Sequence, residues 1–302
     1  MLLKAKSLGM ELSAGGVSFA LLSGRGTPTL EAGLTLPFAP GTLAPSRRDP
    51  NVADRQAFVT RVKEAHLRLL SRERSVAVSL PDALGRVVLL DLETRFKNRE
   101  EGLEIIRWKL KKTLPFDVSS VQLDYQTLAE QENGAISLLV GLISRQVVGQ
   151  YEELLTEAGL EPKFIDFTSF NLYRLFAPRL ELSDNGAFVS FYGGTMTVLI
   201  FHGGVLSFYR SKEAGSDPQQ LYREVNSSLL VYGDRHPGQT VDEAFCLTDG
   251  SDPEAFRALV AEACGLEPVL LDPQRVVTPS AGVERGALRN LAGALGAALR
   301  RV

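Results

Sequence analysis

Cysteine, tryptophan and histidine are scarce in this chain, at two, one and three of 302 residues. Cys246 and Cys264 are too few for a disulfide framework, which excludes the small cystine-stapled scaffolds and points to a reducing compartment. Both read as small buried apolar side chains. His66, His202 and His236 are scattered, without metal-ligand spacing, and His66, among charged neighbours on a helix, is expected at the surface. The lone Trp108 sits on a helical segment, where a core or interface role fits better than a cofactor role. Long apolar runs are also missing: Ile136–Ile143 and Val198–Phe201 are far too short to span a bilayer. The opening Met1-Leu2-Leu3-Lys4 leads toward a strand and lacks the apolar core of a leader peptide, so a cytoplasmic chain is expected. There is no cationic excess, and a net charge of −3 gives no global field for nucleic acid. Enzyme signatures are missing too. No glycine-rich loop ends in Gly-Lys-Ser/Thr, no Gly-x-Ser-x-Gly elbow occurs, and Gly24-Arg25-Gly26 lacks the third glycine of a dinucleotide fingerprint.

What is present is a soluble composition, 44% hydrophobic and 23% charged, on a chain long enough for two domains. A strand grammar is written twice. Leu8–Leu12, the turn Ser13-Ala14-Gly15-Gly16, Val17–Leu22, a glycine turn and Thr29–Leu36 form the first copy. Ala187–Tyr192, the turn Gly193-Gly194-Thr195, Met196–His202, Gly203-Gly204 and Val205–Arg210 form the second. Repetition at this scale predicts two lobes with one plan, the residue of an internal duplication. The glycine turns have two readings. They provide tight hairpins, or they face each other across a cleft and turn backbone N–H groups toward phosphates.

Between the copies, Asp54 caps a helix with Phe58, Val62, Ala65 and Leu69 on one face. Pro37 to Ala53 reads as a surface loop carrying Arg47-Arg48. Ser75–Leu80 and Arg86–Leu92 read as strands around Pro81-Asp82. Arg99 to Thr113 reads as a helix with acids early and lysines late, stopped by Pro115. Val121–Thr127 and Ala135–Ile143 are strands, and Arg145 to Ala158 is a helix. Gly159-Leu160-Glu161-Pro162 and Gly265-Leu266-Glu267-Pro268 share a helix-ending signal, with glycine in the left-handed position and proline forbidding continuation. Glu284 to Arg301 reads as one long helix made thin by Ala292, Gly293, Gly296 and Ala297.

Several stretches resemble one family, the actin-like PilM proteins of type IV pilus assembly, and more distantly the cytoplasmic part of the secretion protein GspL. Leu8–Leu22 and Phe188–Phe201 look like the two phosphate hairpins. Val76–Pro81 with Val87–Leu90 resembles the start of the inserted subdomain 1C. Glu104–Lys112, Leu114-Pro115-Phe116 and Val121–Gln126 resemble its helix and following strand. Phe164-Ile165-Asp166 and Phe170–Leu175 look like the return into subdomain 1A, and Leu291–Arg300 like the closing helix. The resemblance implies an α/β, actin-like (ribonuclease H-like), duplicated two-lobe fold. Lobe 1 would span 1–186 with 1C inserted at about 75–160. Lobe 2 would span 187–302, with helix 284–301 packing back toward lobe 1. A 2B subdomain would be missing, because Leu221–Tyr232 follows Gly215 almost at once.

The same resemblance assigns site residues. Ser13, Gly15, Gly16, Gly193, Gly194, Thr195 and Gly250 would line a nucleotide site. The family's magnesium aspartate would be replaced by Glu11, and the second hairpin's aspartate by Ser190, which removes a charged partner. These departures imply a scaffold without catalysis and without a bound cofactor. The alternative is an ATP-binding switch or slow ATPase using magnesium, and a small-molecule kinase of the sugar kinase and acetate kinase superfamily is a more distant one. Family members hold the cytoplasmic N-terminus of a single-pass inner-membrane protein, PilN, in a groove between 1A and 1C. A PilN-like peptide and other pilus or secretion platform proteins are therefore the expected partners. No nucleic acid partner and no membrane insertion are expected, only peripheral attachment to the inner membrane. Arg107, Lys111, Phe116 and Tyr125 are the implied partner contacts, though Phe116 and Tyr125 also fit the core of 1C.

Overall fold

The computed structural model describes residues 6–300 apart from 25, 113, 115, 116, 282 and 284, and leaves the side chain of Arg285 undescribed. The first strands alternate in a way that uses both faces. On β1 (Lys6–Ser13) and β2 (Gly16–Ser23), Leu8, Met10, Leu12, Val17, Phe19 and Leu21 point to one core, while Ala20 and Leu22 point to another. The pair continues into β3 (Thr29–Pro37), then α1 (Arg55–Arg68) and β4 (Ser75–Leu80). Asp54 caps α1 by accepting from the Ala57 N–H, and Phe58, Val62, Ala65 and Leu69 fill the first core. His66 is half-buried, with Nε2 at 2.7 Å from the Glu73 carbonyl and its ring 6.1 Å from Phe19, so it is packed inward where a surface position was expected.

A 3₁₀ turn at Asp82–Leu84 leads to β5 (Gly85–Leu92), α2 (Arg99–Lys111), β6 (Val121–Glu130), β7 (Ile136–Ser144) and α3 (Arg145–Glu157). Strands β5, β7 and β6 form a separate antiparallel sheet, with α2 laid on one face through Ile106 and Leu110. This small sheet begins at Gly85, later than the expected residue 75. Ser75–Leu80 belongs instead to the large sheet, where it is buried between β1 and β8 (Glu161–Phe167). The first lobe's sheet has the order β3-β2-β1-β4-β8, extended beyond β3 by a short strand from near the end of the chain.

The second lobe repeats this plan. After α4 (Thr168–Leu180) come β9 (Gly186–Tyr192), β10 (Thr195–His202), β11 (Val205–Glu213), α5 (Pro218–Arg235), β12 (Glu243–Thr248), α6 (Pro253–Cys264) and β13 (Val269–Leu270). Its sheet order, β11-β10-β9-β12-β13, matches β3-β2-β1-β4-β8 strand for strand. The turns match as well: the Gly15 carbonyl accepts from Phe38 N–H, and the Gly194 carbonyl from Ala214 N–H. Residues 214–217 alone separate β11 from α5.

The chain then returns to the first lobe. β14 (Thr278–Pro279) pairs with β3, and a 3₁₀ segment at Arg285–Leu291 precedes α7 (Ala292–Ala298). One continuous helix was expected here; Glu284 and Arg301, its expected ends, lie outside the described residues. The α-helical part is only seven residues and is buried throughout. Its glycines are poor helix formers, and close backbone packing holds the segment in place. A Cβ on Gly296 would run into the Asn171 carbonyl, and one on Gly9 into that of Ala294. Helices α4 and α7 lie in a core shared by the inner faces of both large sheets, with Phe188, Leu199 and Phe245 from one side and Ala20, Leu22 and Leu30 from the other. Cys246 is buried and Cys264 half-buried, as small apolar residues.

Candidate functional site: an inter-lobe junction and a strand-edged groove

Strands β1 and β9 end at the same junction. The Tyr192 hydroxyl donates to Glu11 Oε2 at 2.9 Å and accepts from the Gly293 N–H at 3.3 Å. Glu11 is 6% exposed. Its carboxyl lies against Gly293, where a Cβ would collide with it, and it also accepts from the backbone of Ala294. Burial pushes its pKa up to about 8; the hydrogen bond from Tyr192 opposes that rise, and the nearby Asp249 adds to it. The Glu11 carboxyl is therefore largely protonated at neutral pH.

The glycine bends follow directly. Ser13 Oγ donates to the Gly16 carbonyl at 3.4 Å, and Gly15 is exposed at the tip. Gly193 and Gly194 both have positive φ, 55° and 74°, the backbone this two-residue turn requires. The Gly193 N–H already donates to Asp249 Oδ2 at 2.9 Å. Gly250 N–H donates to Thr248 Oγ1 at 3.0 Å, on the strand beside β9. Ser190 and Thr195 are buried in the second sheet. The structure thus joins Glu11, Gly193 and Asp249 around one junction, with Ser190 packed in the sheet behind it. Among the described residues no group of three or more His, Cys, Asp or Glu is placed to hold a metal ion.

A second lobe-to-lobe contact was not foreseen from the sequence. Asp82, 8% exposed, accepts from the Tyr209 hydroxyl at 2.7 Å, from the Ser169 N–H at 3.0 Å and from the Ser169 hydroxyl. Its pKa is raised by burial, and these hydrogen bonds oppose the rise. Phe170 stacks on Tyr209 and Tyr173 on Phe201, carrying the contact along α4.

Between the small sheet and the lobes lies a groove of about 710 Å³. β6 is an outer strand of the small sheet and β8 an outer strand of the large one, and residues of both line the groove. Ile165, Phe170 and Tyr173 give it apolar walls, and Asp166 is held by Arg174 at 3.1 Å and by Arg300. Burial lowers the pKa of Arg174, while Asp166 opposes that shift. Tyr125 belongs to the lining strand, but its ring packs edge-on against Phe96 on the α2 side. Arg107 and Lys111 are not brought to the groove, because α2 covers the opposite face of the small sheet. Phe116 lies outside the described residues. The groove residues of β8 and α4 fall in segments the sequence marks as the return into the first lobe. What no local pattern shows is that the outer strands of two different sheets would line one groove.

The family model described as type IV pilus assembly protein PilM matches residues 9–217, more than half of the chain. The chain belongs to this family. Among solved structures, this PilM-family chain is similar to a PilM-PilN type IV pilus biogenesis complex, at 22% identity, 99% coverage of each chain and a TM-score of 0.83. It is similar to a Bacteroides thetaiotaomicron protein with actin-like ATPase fold and unknown function, at 15% identity, 91% and 93% coverage and a TM-score of 0.55. The cytoplasmic domain of EpsL, an inner membrane component of the type II secretion system of Vibrio cholerae, follows at 14% identity, 97% and 94% coverage and a TM-score of 0.54. These likenesses establish the actin-like fold. Curated proteins offer no match. Among the described residues no helix is long and apolar enough to cross a membrane.

Proposed function

We propose that this PilM-family chain is a non-catalytic scaffold of the pilus inner-membrane platform, and that its groove holds the extended cytoplasmic N-terminus of a PilN-like protein. The observation that carries this reading is the pair of outer strands, β6 and β8, lining one groove. An extended peptide laid there gains main-chain hydrogen bonds from a free strand edge and side-chain pockets at alternate residues. The similar solved structure is itself described as a PilM-PilN complex. Holding such a peptide attaches the chain to the membrane through its partner. The test is fluorescence anisotropy with a labelled synthetic PilN-like N-terminus. Binding at or below tens of micromolar is expected, the weak end for a short peptide. Ile165→Arg, which places a charge between the two edges, is expected to weaken it at least roughly tenfold. No binding by the unmodified chain, or unchanged binding by a folded Ile165→Arg, removes the groove from the mechanism.

The same reading leaves the junction without nucleotide chemistry. A magnesium triphosphate needs ionised oxygen ligands and free backbone donors. Here burial under α7 disfavours the charged form of Glu11, and Asp249 holds the Gly193 amide a phosphate would use. Ser190 supplies no charge. The residues present do not fit the group. Titration calorimetry with magnesium and ATP is expected to give no binding heat, and the melting temperature is expected to stay constant. A clear affinity or a ligand-dependent rise in melting temperature would favour the ATP-switch reading instead.

A further inference from the structure

The groove leaves the far side of the small sheet unused, and that side carries an unusual surface. Helix α2 buries Gly102, Ile106 and Leu110. Trp108 is two residues from Ile106, about 200° round the helix axis, so its indole is turned away from the sheet. It is 61% exposed, and it is the chain's single tryptophan. The Lys112 ammonium lies 4.1 Å from the ring centroid. Lys111 and Lys112 are exposed and Arg107 is half-buried, and among the described residues none of the three makes an ion pair. Lys109 is tied down, donating to the Asp91 carbonyl at 3.0 Å. The acids of the helix are gathered at its other end, at Glu100, Glu101 and Glu104. Asp117 is the carboxylate near Lys111, which helps hold it below its usual range.

From this juxtaposition of an exposed indole with three cations at one helix end, we propose that α2 contacts an anionic lipid surface. Tryptophan favours the headgroup level of a bilayer, where an apolar ring and a polar N–H are both satisfied. Lysine and arginine stems lie alongside such a ring while their charges remain among lipid phosphates. A stable protein interface gathers a wide surface around such an anchor, burying on the order of 1,200–2,000 Å². A lipid surface demands no such area: each cation near it adds a modest attraction, and several together with one apolar insertion give weak, salt-sensitive binding. Weak binding suits a surface that acts as a second signal beside an anchored partner. The proposal does not depend on the groove, which lies on the other face of the same sheet.

The single tryptophan makes the experiment direct. The full chain is mixed with phosphatidylglycerol–phosphatidylcholine vesicles and with pure phosphatidylcholine vesicles. A blue shift of Trp108 emission and co-sedimentation are expected with the anionic vesicles only, and both are expected to disappear at high salt. Lys111→Glu with Lys112→Glu is expected to reduce partitioning at least roughly tenfold, from about fivefold per cation removed. Trp108→Ala is expected to weaken co-sedimentation while melting at the unmodified temperature, since the side chain supports no core. No shift with anionic vesicles, or an equal shift with neutral ones, overturns the proposal. So does a Trp108 shift produced by poly-glutamate and not by vesicles, which would assign the patch to an acidic protein.

Discussion

Glu11 shows what a single residue contributes at the junction. Its carboxyl is held neutral by burial, with a pKa near 8 against 4.5 for an unperturbed glutamate. Between those values the folded chain keeps a proton that the unfolded chain releases, so stability falls as pH rises through the window. At about 1.4 kcal/mol per unit the loss amounts to a few kcal/mol. Asp82 and Asp249 are raised by burial too and add to the same trend. Urea unfolding is therefore expected to show lower stability at about pH 8.5 than at about pH 5. Glu11→Gln, which keeps an oxygen for the Tyr192 hydroxyl but cannot ionise, is expected to flatten part of that decline. Parallel pH curves for the two proteins would remove Glu11 as a source.

At the scale of an element, α7 depends on the absence of side chains. Gly296→Ala forces a Cβ into the Asn171 carbonyl, with backbone on both sides and nothing flexible to yield. A loss at the upper end of about 1–3 kcal/mol is expected in urea unfolding. Gly149, on α3, has open space where a Cβ would point. Gly149→Ala is expected to stabilise by about 0.5–1 kcal/mol, since only the helix preference changes. Loss of stability in both variants would place the effect outside local packing. The contrast also marks what was legible in the sequence. Signals that act within a few residues were readable: the Asp54 cap, the twice-written glycine hairpins, and the glycines that end α3 and α6, with φ of 88° and 69° at Gly159 and Gly265. Glu284 to Arg301 reads as one long helix because periodicity carries no information about burial on every side. Likewise, Asp82 read as a turn residue. Its partner Tyr209 is 127 positions away, and no local pattern joins them. For Arg107 and Lys111, helix and charge were readable from sequence, but the face of the sheet that α2 would cover was not.

The whole molecule is held by phenol-to-carboxyl bonds that cross between its halves, Tyr192 to Glu11 and Tyr209 to Asp82. Both carboxyls and Tyr192 are buried and Tyr209 is half-buried, so each hydroxyl is worth more than a surface hydrogen bond, and losing one leaves an acid short of a donor. Tyr209→Phe is expected to lower stability by roughly 1–3 kcal/mol. Combined with Asp82→Ala it is expected to cost less than the sum of the single changes, because both remove the same bond. Strict additivity would show that hydroxyl and carboxyl do not act as a pair. Two such bonds, with the stacked pairs Phe170–Tyr209 and Tyr173–Phe201, resist the opening between lobes that a nucleotide-driven hinge requires.

The pairing of Thr278–Pro279 with β3, and the seat of α7 on β1, have a temporal consequence. On the ribosome the hairpin of β1 and β2 emerges before both β14 and α7, and the piece that covers its inner face is translated only after most of the second lobe. Until then Gly9, Ala20 and Leu22 present an uncovered surface, so the nascent first half waits in an unfinished, sticky form. A chain released before residue 278 would lack that cover permanently and would be a substrate for chaperones and proteases instead of a folded half.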